Sequence, residues 1–373
     1  MGGTKSQATL LKPPPPLPDS APIENLLRLH HLTDICPTSY TNAYPLWHPP
    51  GARGIFGGAV AAQSLAAAQA SVAPDFVAHS MHCYFLTAGD SEIPIIYEVE
   101  KVRDGRSFVT RTVQACQRGK CVFTTTVSFK RPESGDVRPL EHQGSMPTDV
   151  EVPSEEAGGL QEGAMEGSDK SGPFEVLRSK IVKGRPGRTD ERSPRQWIRA
   201  RGRISDGPAA SDATGAVRHG NHVAHLSALA YASDFYFLGT LGRVHGLMVG
   251  PVMKESIDHA VKTFKGSNEA KEQLRAHLEK IAKDEADETA TFGSEDGPPR
   301  EIGMLVSLDH SIFFHNPQNF RADEWILAEM WSPWAGEGRG LVMQRLWSRE
   351  GVLIATCIQE GLIRMRNKKE AKL

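Results

Sequence analysis

The sequence lacks any run of about 20 uninterrupted apolar residues, the length a membrane-spanning helix needs, and its Pro-rich start lacks the apolar stretch of a signal peptide. It is short of excess charge as well: a net charge of −2 over 373 residues, with 24% charged and 39% hydrophobic residues, is the balance of an ordinary soluble chain. No basic surplus points to nucleic acid. Cysteine is scarce. Cys36, Cys83, Cys116, Cys121 and Cys357 are odd in number, widely spread and without metal-ligand spacing, which argues against a disulfide framework or a zinc site. Cys116 and Cys121 flank a predicted turn at 117–120, and in a reducing compartment two free thiols are expected there. Three catalytic patterns are missing too: the G-x-S-x-G elbow, the G-x-x-x-x-G-K-[ST] phosphate loop and the H-E-x-x-H zinc helix. A serine hydrolase or a metalloenzyme is disfavoured, and no cofactor is expected.

What the sequence does contain is itself, twice. Residues 57–72 read GGAVAAQSLAAAQASV, apolar or small on nearly every side, the pattern of a helix enclosed by other structure. Four runs of strand character follow, at 77–86, 93–102, 107–116 and 121–129, with Asp104 and Gly105 in the turn between the second and third. The same order returns. Gly220-Asn221-His222-Val223-Ala224 through Ser227 repeats the G-x-x-V-A-x-x-S spacing of Gly57 through Ser64. His310-Ser311-Ile312 echoes His79-Ser80-Met81, and strand-like runs follow at 325–330, 340–347 and 352–363. This internal repeat is the most informative feature of the chain.

The domain plan expected from these signals has five parts. Residues 1–24, rich in proline, form a disordered lead; 25–131 are the first copy; 132–173, rich in Gly, Ser, Pro and Glu, are a flexible linker; 174–366 are the second copy; 367–373 are a polar tail. The second copy holds an insertion at about 241–302 whose middle, 268–288, reads as a charged surface helix. Between Arg178 and Arg203 arginine and lysine are dense, which reads as a solvated strand edge protected by charge, or as cations that meet a phosphate-bearing ligand.

Several segments in order carry a family resemblance: Phe56-Gly57-Gly58, His79 to Leu86 with Gly89-Asp90, Tyr231-Ala232-Ser233-Asp234-Phe235, Ser307-Leu308-Asp309-His310-Ser311 with Phe314-His315, and Gln359-Glu360-Gly361. Together they resemble the type II acyl-CoA thioesterases over roughly 56–364. The resemblance implies an α+β double hotdog, two tandem antiparallel sheets each wrapped on a helix, that hydrolyses medium- or long-chain fatty acyl-CoA to a free fatty acid and coenzyme A. It also implies a catalytic triad, which by motif falls on Asp234, Ser307 and Gln359, with Ser307 standing where many members carry Thr. A thioester attacked by water needs a proton acceptor, groups that orient the water and a donor for the developing oxyanion, and these three side-chain types supply them. A covalent anhydride on Asp234 stays open as the alternative route. Matching the two helices sets Ser71 opposite Asp234, and matching the last strands sets Val127 or Ser128 opposite Gln359, so one working site per chain is expected.

Further candidates are weaker. Gly57 and Gly58 open a buried helix whose amides can receive a carbonyl oxygen or phosphate, and His79 is a candidate substrate contact. An enoyl-CoA hydratase on the same fold, using Asp309 and His310, and a non-catalytic acyl-CoA-binding scaffold are the alternative readings. Ala371-Lys372-Leu373 is a close variant of the Ser-Lys-Leu peroxisomal address, so a peroxisomal import receptor is an expected partner and the peroxisome the expected location, with the cytoplasm as alternative. A homo-oligomer is compatible with the fold but not fixed by the sequence.

Overall fold

The Ala-rich segment forms helix α1 (Gly57–Ala70), buried along nearly its whole length. Alanine has the strongest intrinsic helix preference, and its small side chain lets strands close in from every direction. The two glutamines on α1 have partners: Gln63 donates to the Leu26 carbonyl at 2.7 Å and accepts from Tyr97 at 2.6 Å, and Gln69 donates to Ser227 Oγ of the second helix at 2.8 Å. In the computed structural model the described residues are 13–17, 19–47, 54–131, 140–154, 160–162, 172–178, 181–205, 210–211, 216–218, 221–249 and 301–366, with parts of 257–283.

Around α1 runs an antiparallel meander, β1 (Val77–Phe85), β2 (Ile96–Asp104), β3 (Phe108–Gln117) and β4 (Lys120–Lys130), with β1 also paired to β4. The β3–β4 turn places Arg118 at φ 50° and Gly119 at φ 72°, the left-handed pair that a two-residue hairpin needs. Cys116 and Cys121 face each other across it as free thiols.

The second copy repeats the plan. Strands β5 (Phe174–Arg178) and β6 (Arg195–Ala200) precede helix α2 (Asn221–Ala232), and β7 (Glu301–Ser307), β8 (Asp309–Phe314), β9 (Ile326–Gly336), β10 (Arg339–Ser348) and β11 (Leu353–Met365) follow it. The two sheets are joined edge to edge. Strand β1 pairs antiparallel with β8, from Tyr84↔Asp309 to Ser80↔Phe313, so the joined edges leave no unpaired ladder there. Behind this seam the helices lie side by side and antiparallel. A Cβ on Gly58 would sit 2.5 Å from the Tyr231 carbonyl oxygen near the end of α2, so only glycine permits this approach. Phe56, Tyr231 and Phe235 close the contact as an aromatic cluster.

Four expectations are corrected. Residues 140–154, expected as flexible linker, pack on the second copy: Met146 and Val150 lie against Trp197, Trp325, Leu327 and Trp347, and Asp149 takes an ion pair from Arg195 at 2.6 Å. Further along the same span, 160–162 pair with β5. In the lead, Pro14 is buried and the segment is held by the first copy, the Pro15 carbonyl accepting from Tyr44 and Arg28. The arginine-rich stretch is no solvated edge, since β6 is paired on both sides and Glu175 takes both Arg199 (2.8 Å) and Arg201 (2.7 Å). Finally, the described part of the charged insertion has an apolar side of its own, where Ile257, Val261, Leu274 and Leu278 cluster. The tail and Ala371-Lys372-Leu373 lie outside the described residues.

Overpacking a tight core contact costs about 1–3 kcal/mol. Gly58→Ala is therefore expected to lower the thermal midpoint by several degrees, measured by circular dichroism; an unchanged midpoint would show that the helices are not in this contact.

Candidate active site

Helix α2 ends at Ala232, and the first turn beyond it carries Asp234. Opposite lies an interruption in the sheet. Leu308 separates β7 from β8, and β11 runs past both, pairing Gly361 with Ser307 and Ile358 with Ser311, so Gln359 sits across from the gap. Because β11 alternates sides, Gln359 points inward and is fully buried.

The three candidate residues meet. Gln359 Nε2 donates to Asp234 Oδ1 at 3.0 Å and to Ser307 Oγ at 2.8 Å. An ionised carboxylate only accepts, so the Gln359 amide has to present its nitrogen to Asp234. Two consequences follow for the remaining valences. Ser307 accepts from Gln359, which leaves its own O–H to donate, and Gln359 Oε1 is buried without a hydrogen-bond partner among the described residues.

Asp234 is partly buried, and desolvation raises its pKa to about 6, against the pull of the Gln359 bond and of a bond from the Gly58 amide at the start of α1. The first turn of a helix favours a carboxylate, and a Cβ on Gly57 would fall 2.8 Å from Asp234 Oδ2. Gly57 and Gly58 thus border the candidate carboxylate, and the Gly58 amide is bonded to it.

The other candidates sit elsewhere. His79 bonds Ser128 at 2.8 Å and lies edge-on to Phe108, half-exposed, away from the Asp234 cluster. The pairing of β1 with β4 is irregular between Ala78 and Ser80, which breaks the alternation and separates His79 from its counterpart His310. His310 is fully buried and bonds Ser233 Oγ at 2.8 Å, whereas Asp309 accepts from the Glu360 amide at 2.9 Å. As neighbours on one strand these two side chains face opposite sides of the sheet, so they form no acid–base pair. Arg199, Arg201 and Arg203 line a cavity of about 460 Å³ together with Glu175, Asp323 and Glu324, whose carboxylates offset much of the positive charge.

Among the described residues the first copy has no equivalent cluster. Ser71 takes the place of Asp234, and the buried Arg111 donates to its Oγ at 2.9 Å and to its carbonyl at 3.2 Å. Its partner in the second copy, Gln344, donates to the Ser233 carbonyl at 2.6 Å. Neither the sequence pattern nor the motifs single out Gln344; only its place in the repeat opposite Arg111 marks it.

Comparison with known proteins agrees with this architecture. Profiles of the acyl-CoA thioesterase N-terminal and C-terminal domains match residues 44–130 and 147–363. Acyl-coenzyme A thioesterase 8 of Rattus norvegicus is 35% identical over 369 residues, spanning 92% of this chain and 93% of its own length. Peroxisomal acyl-coenzyme A thioester hydrolase 1 of Saccharomyces cerevisiae is 34% identical over 125 residues, 34% of this chain and 36% of that protein. The crystal structure of the acyl-CoA thioesterase II TesB2 from Mycobacterium marinum superposes with a TM-score of 0.59 at 28% identity, covering 93% of this chain and 98% of that one.

The partly buried carboxylate of Asp234 sets a pH dependence of stability. A carboxyl group whose pKa is raised on folding, here from 3.8 to about 6, binds its proton more tightly in the folded chain. Its favourable contribution is complete below about pH 4 and is lost as pH rises through about 6. At 1.36 kcal/mol per tenfold change, the loss is on the order of 3 kcal/mol. Denaturant unfolding of wild type and Asp234→Asn is expected to show the variant gaining on wild type between pH 4 and pH 7; a constant difference would mean that Asp234 titrates as an exposed carboxylate.

Proposed function

The chain belongs to the type II acyl-CoA thioesterase family and hydrolyses acyl-CoA thioesters, and we propose that it does so with Asp234, Ser307 and Gln359 acting on one water molecule. The observation that carries this reading is the double donation of the buried Gln359 Nε2, to Asp234 at 3.0 Å and Ser307 at 2.8 Å.

The chemistry follows from the valences left over. Asp234 accepts a proton from the water as its oxygen attacks the thioester carbonyl. Gln359 Oε1 receives the second hydrogen of the same water and so fixes its lone pair toward the carbon. Ser307 donates its O–H to the carbonyl oxygen as that oxygen becomes negative. When the tetrahedral intermediate collapses, the carbon–sulfur bond breaks and the thiolate of coenzyme A takes the proton held by Asp234. The products are a carboxylic acid and coenzyme A. Gln359 contributes mainly by fixing the other two groups before substrate arrives, which removes the entropic cost of assembling them during reaction.

Fatty acyl-CoA of medium to long chain is the proposed substrate class. The hydratase reading loses support because Asp309 and His310 face opposite sides of the sheet, and the scaffold reading is separated from hydrolysis by turnover itself. Location in the peroxisome is proposed from Ala371-Lys372-Leu373 and from the peroxisomal yeast relative.

Thiol release from a chain-length series of acyl-CoA esters tests the core of this reading. Asp234→Asn is expected to lose about 10²- to 10⁴-fold in kcat, and wild-type activity is expected to rise with pH to a plateau, with its midpoint near the value of about 6 set by Asp234. Full activity in the folded variant would refute the assignment. For location, deleting 371–373 is expected to leave hydrolysis unchanged and to move the protein from peroxisomes to cytosol; peroxisomal retention would overturn that proposal.

A further inference from the structure

The residue just before Asp234 is held more firmly than a helix end requires. Ser233 closes the last turn of α2, its amide donating to the Leu229 carbonyl at 2.8 Å and its hydroxyl donating to the Ala230 carbonyl at 2.9 Å. Two side chains from the sheet then reach it. His310 Nε2 lies 2.8 Å from Ser233 Oγ, and Gln344 Nε2 donates to the Ser233 carbonyl at 2.6 Å. All three residues are buried, with relative exposures of 0–1%.

The hydrogen-bond roles are set by the chemistry. The Ser233 proton goes to Ala230, so His310 is the donor, as the neutral tautomer protonated on Nε2. Nδ1 is then a bare acceptor, and it has no partner among the described residues. Burial holds His310 neutral, pushing its pKa down to about 3. A buried polar group left with one valence unmet is a cost to the fold, and a phenylalanine or leucine would fill the same volume without it.

We propose that His310 and Gln344 are positioning residues for the thioesterase reaction: by gripping the hydroxyl and the carbonyl of Ser233 they fix the chain segment that carries Asp234 against Gln359 and Gly58. The inference rests on Asp234 acting as the base. It goes beyond the triad, since the bonds of these two residues go to Ser233.

The internal repeat supports this from a second direction. In the first copy Arg111 grips Ser71, the first residue past its helix and the counterpart of Asp234 itself, through its hydroxyl and its carbonyl, and no carboxylate stands there. In the second copy the grip is made by a neutral amide and a neutral imidazole. A guanidinium in that place would set a cation beside Asp234 and lower its basicity. The uncharged pair keeps the grip and leaves the base to be poised by burial and by the Gln359 and Gly58 amides. Fixing matters because displacement of a reacting group by about 1 Å costs on the order of 10²-fold in rate.

The test uses the full chain and three variants checked for folding by near-ultraviolet circular dichroism. Gln344→Met keeps the length of the side chain and removes the donor. His310→Asn removes the donor at the Nε2 position, and His310→Gln restores one at about that reach. Expected are a 10- to 100-fold loss of kcat with KM within about twofold for Gln344→Met and His310→Asn, recovery of at least a third of wild-type kcat in His310→Gln, and an upward move of the acid limb of the pH profile as the bonds that lower the Asp234 pKa loosen. Unchanged kcat in folded Gln344→Met, or a rise in KM alone, would overturn the proposal. A His310→Gln variant as slow as His310→Asn would do the same. If His310→Asn does not fold, Gln344→Met decides. Should Asp234→Asn be inactive while Gln344→Met is fully active, only the positioning role fails; should Asp234→Asn be active, the base assignment itself fails.

Discussion

One amide holds the candidate site together. Gln359 has a single NH₂ group, and both of its hydrogens are committed, one to a carboxylate on the helix side and one to a hydroxyl on the sheet side. That arrangement is possible only because three elements meet at the same place: α2 stops at Ala232, β7 stops at Ser307, and β11 runs on past the gap between β7 and β8. The fold thus delivers three side chains to one point through backbone geometry. Hydrogen bonding then removes their remaining freedom.

Burial gives the site its chemistry and also its cost. An exposed aspartate is a weak base with a low pKa; the same group enclosed by α1, α2 and β11 is held at about 6, closer to the range in which a base accepts a proton readily. The approach of α1 keeps this from going further, because the Gly58 amide and the Gln359 amide both favour the ionised form. Glycine at 57 and 58 is what makes that approach sterically possible, since any side chain would meet Asp234 Oδ2 or the Tyr231 carbonyl. Packing between helices and tuning of the carboxylate are one constraint seen from two ends.

Much of this was legible in the sequence. A helix apolar on every side has to be enclosed, a repeated G-x-x-V-A-x-x-S has to mean two units, and the alternating strands after each helix give the meander. Asp234, Ser307 and Gln359 were reachable through their motifs and not through any periodicity. Other features left no local signal. Met146 and Val150 lie in a span whose Gly, Ser and Pro content masks two anchors on a tryptophan cluster. The arginines of β6 read as free cations because Glu175, which neutralises two of them, stands more than twenty residues away in sequence. His79 and His310 are equivalent in the repeat, and only a pairing irregularity in the three-dimensional sheet separates a half-exposed histidine from a buried one. Gln344 looks like any polar residue in a strand until its hydrogen bond is seen.

The central claim is that burial and the Gln359 amide together set the protonation of Asp234. Carbon-13 NMR of the Asp234 carboxyl, followed through a pH titration in wild type and in Gln359→Ala, tests this directly. The account predicts a midpoint near about 6 in wild type and a higher one in the variant, because the bond that favours the carboxylate is gone. A midpoint at the ordinary aspartate value of about 3.9 in both proteins would contradict it.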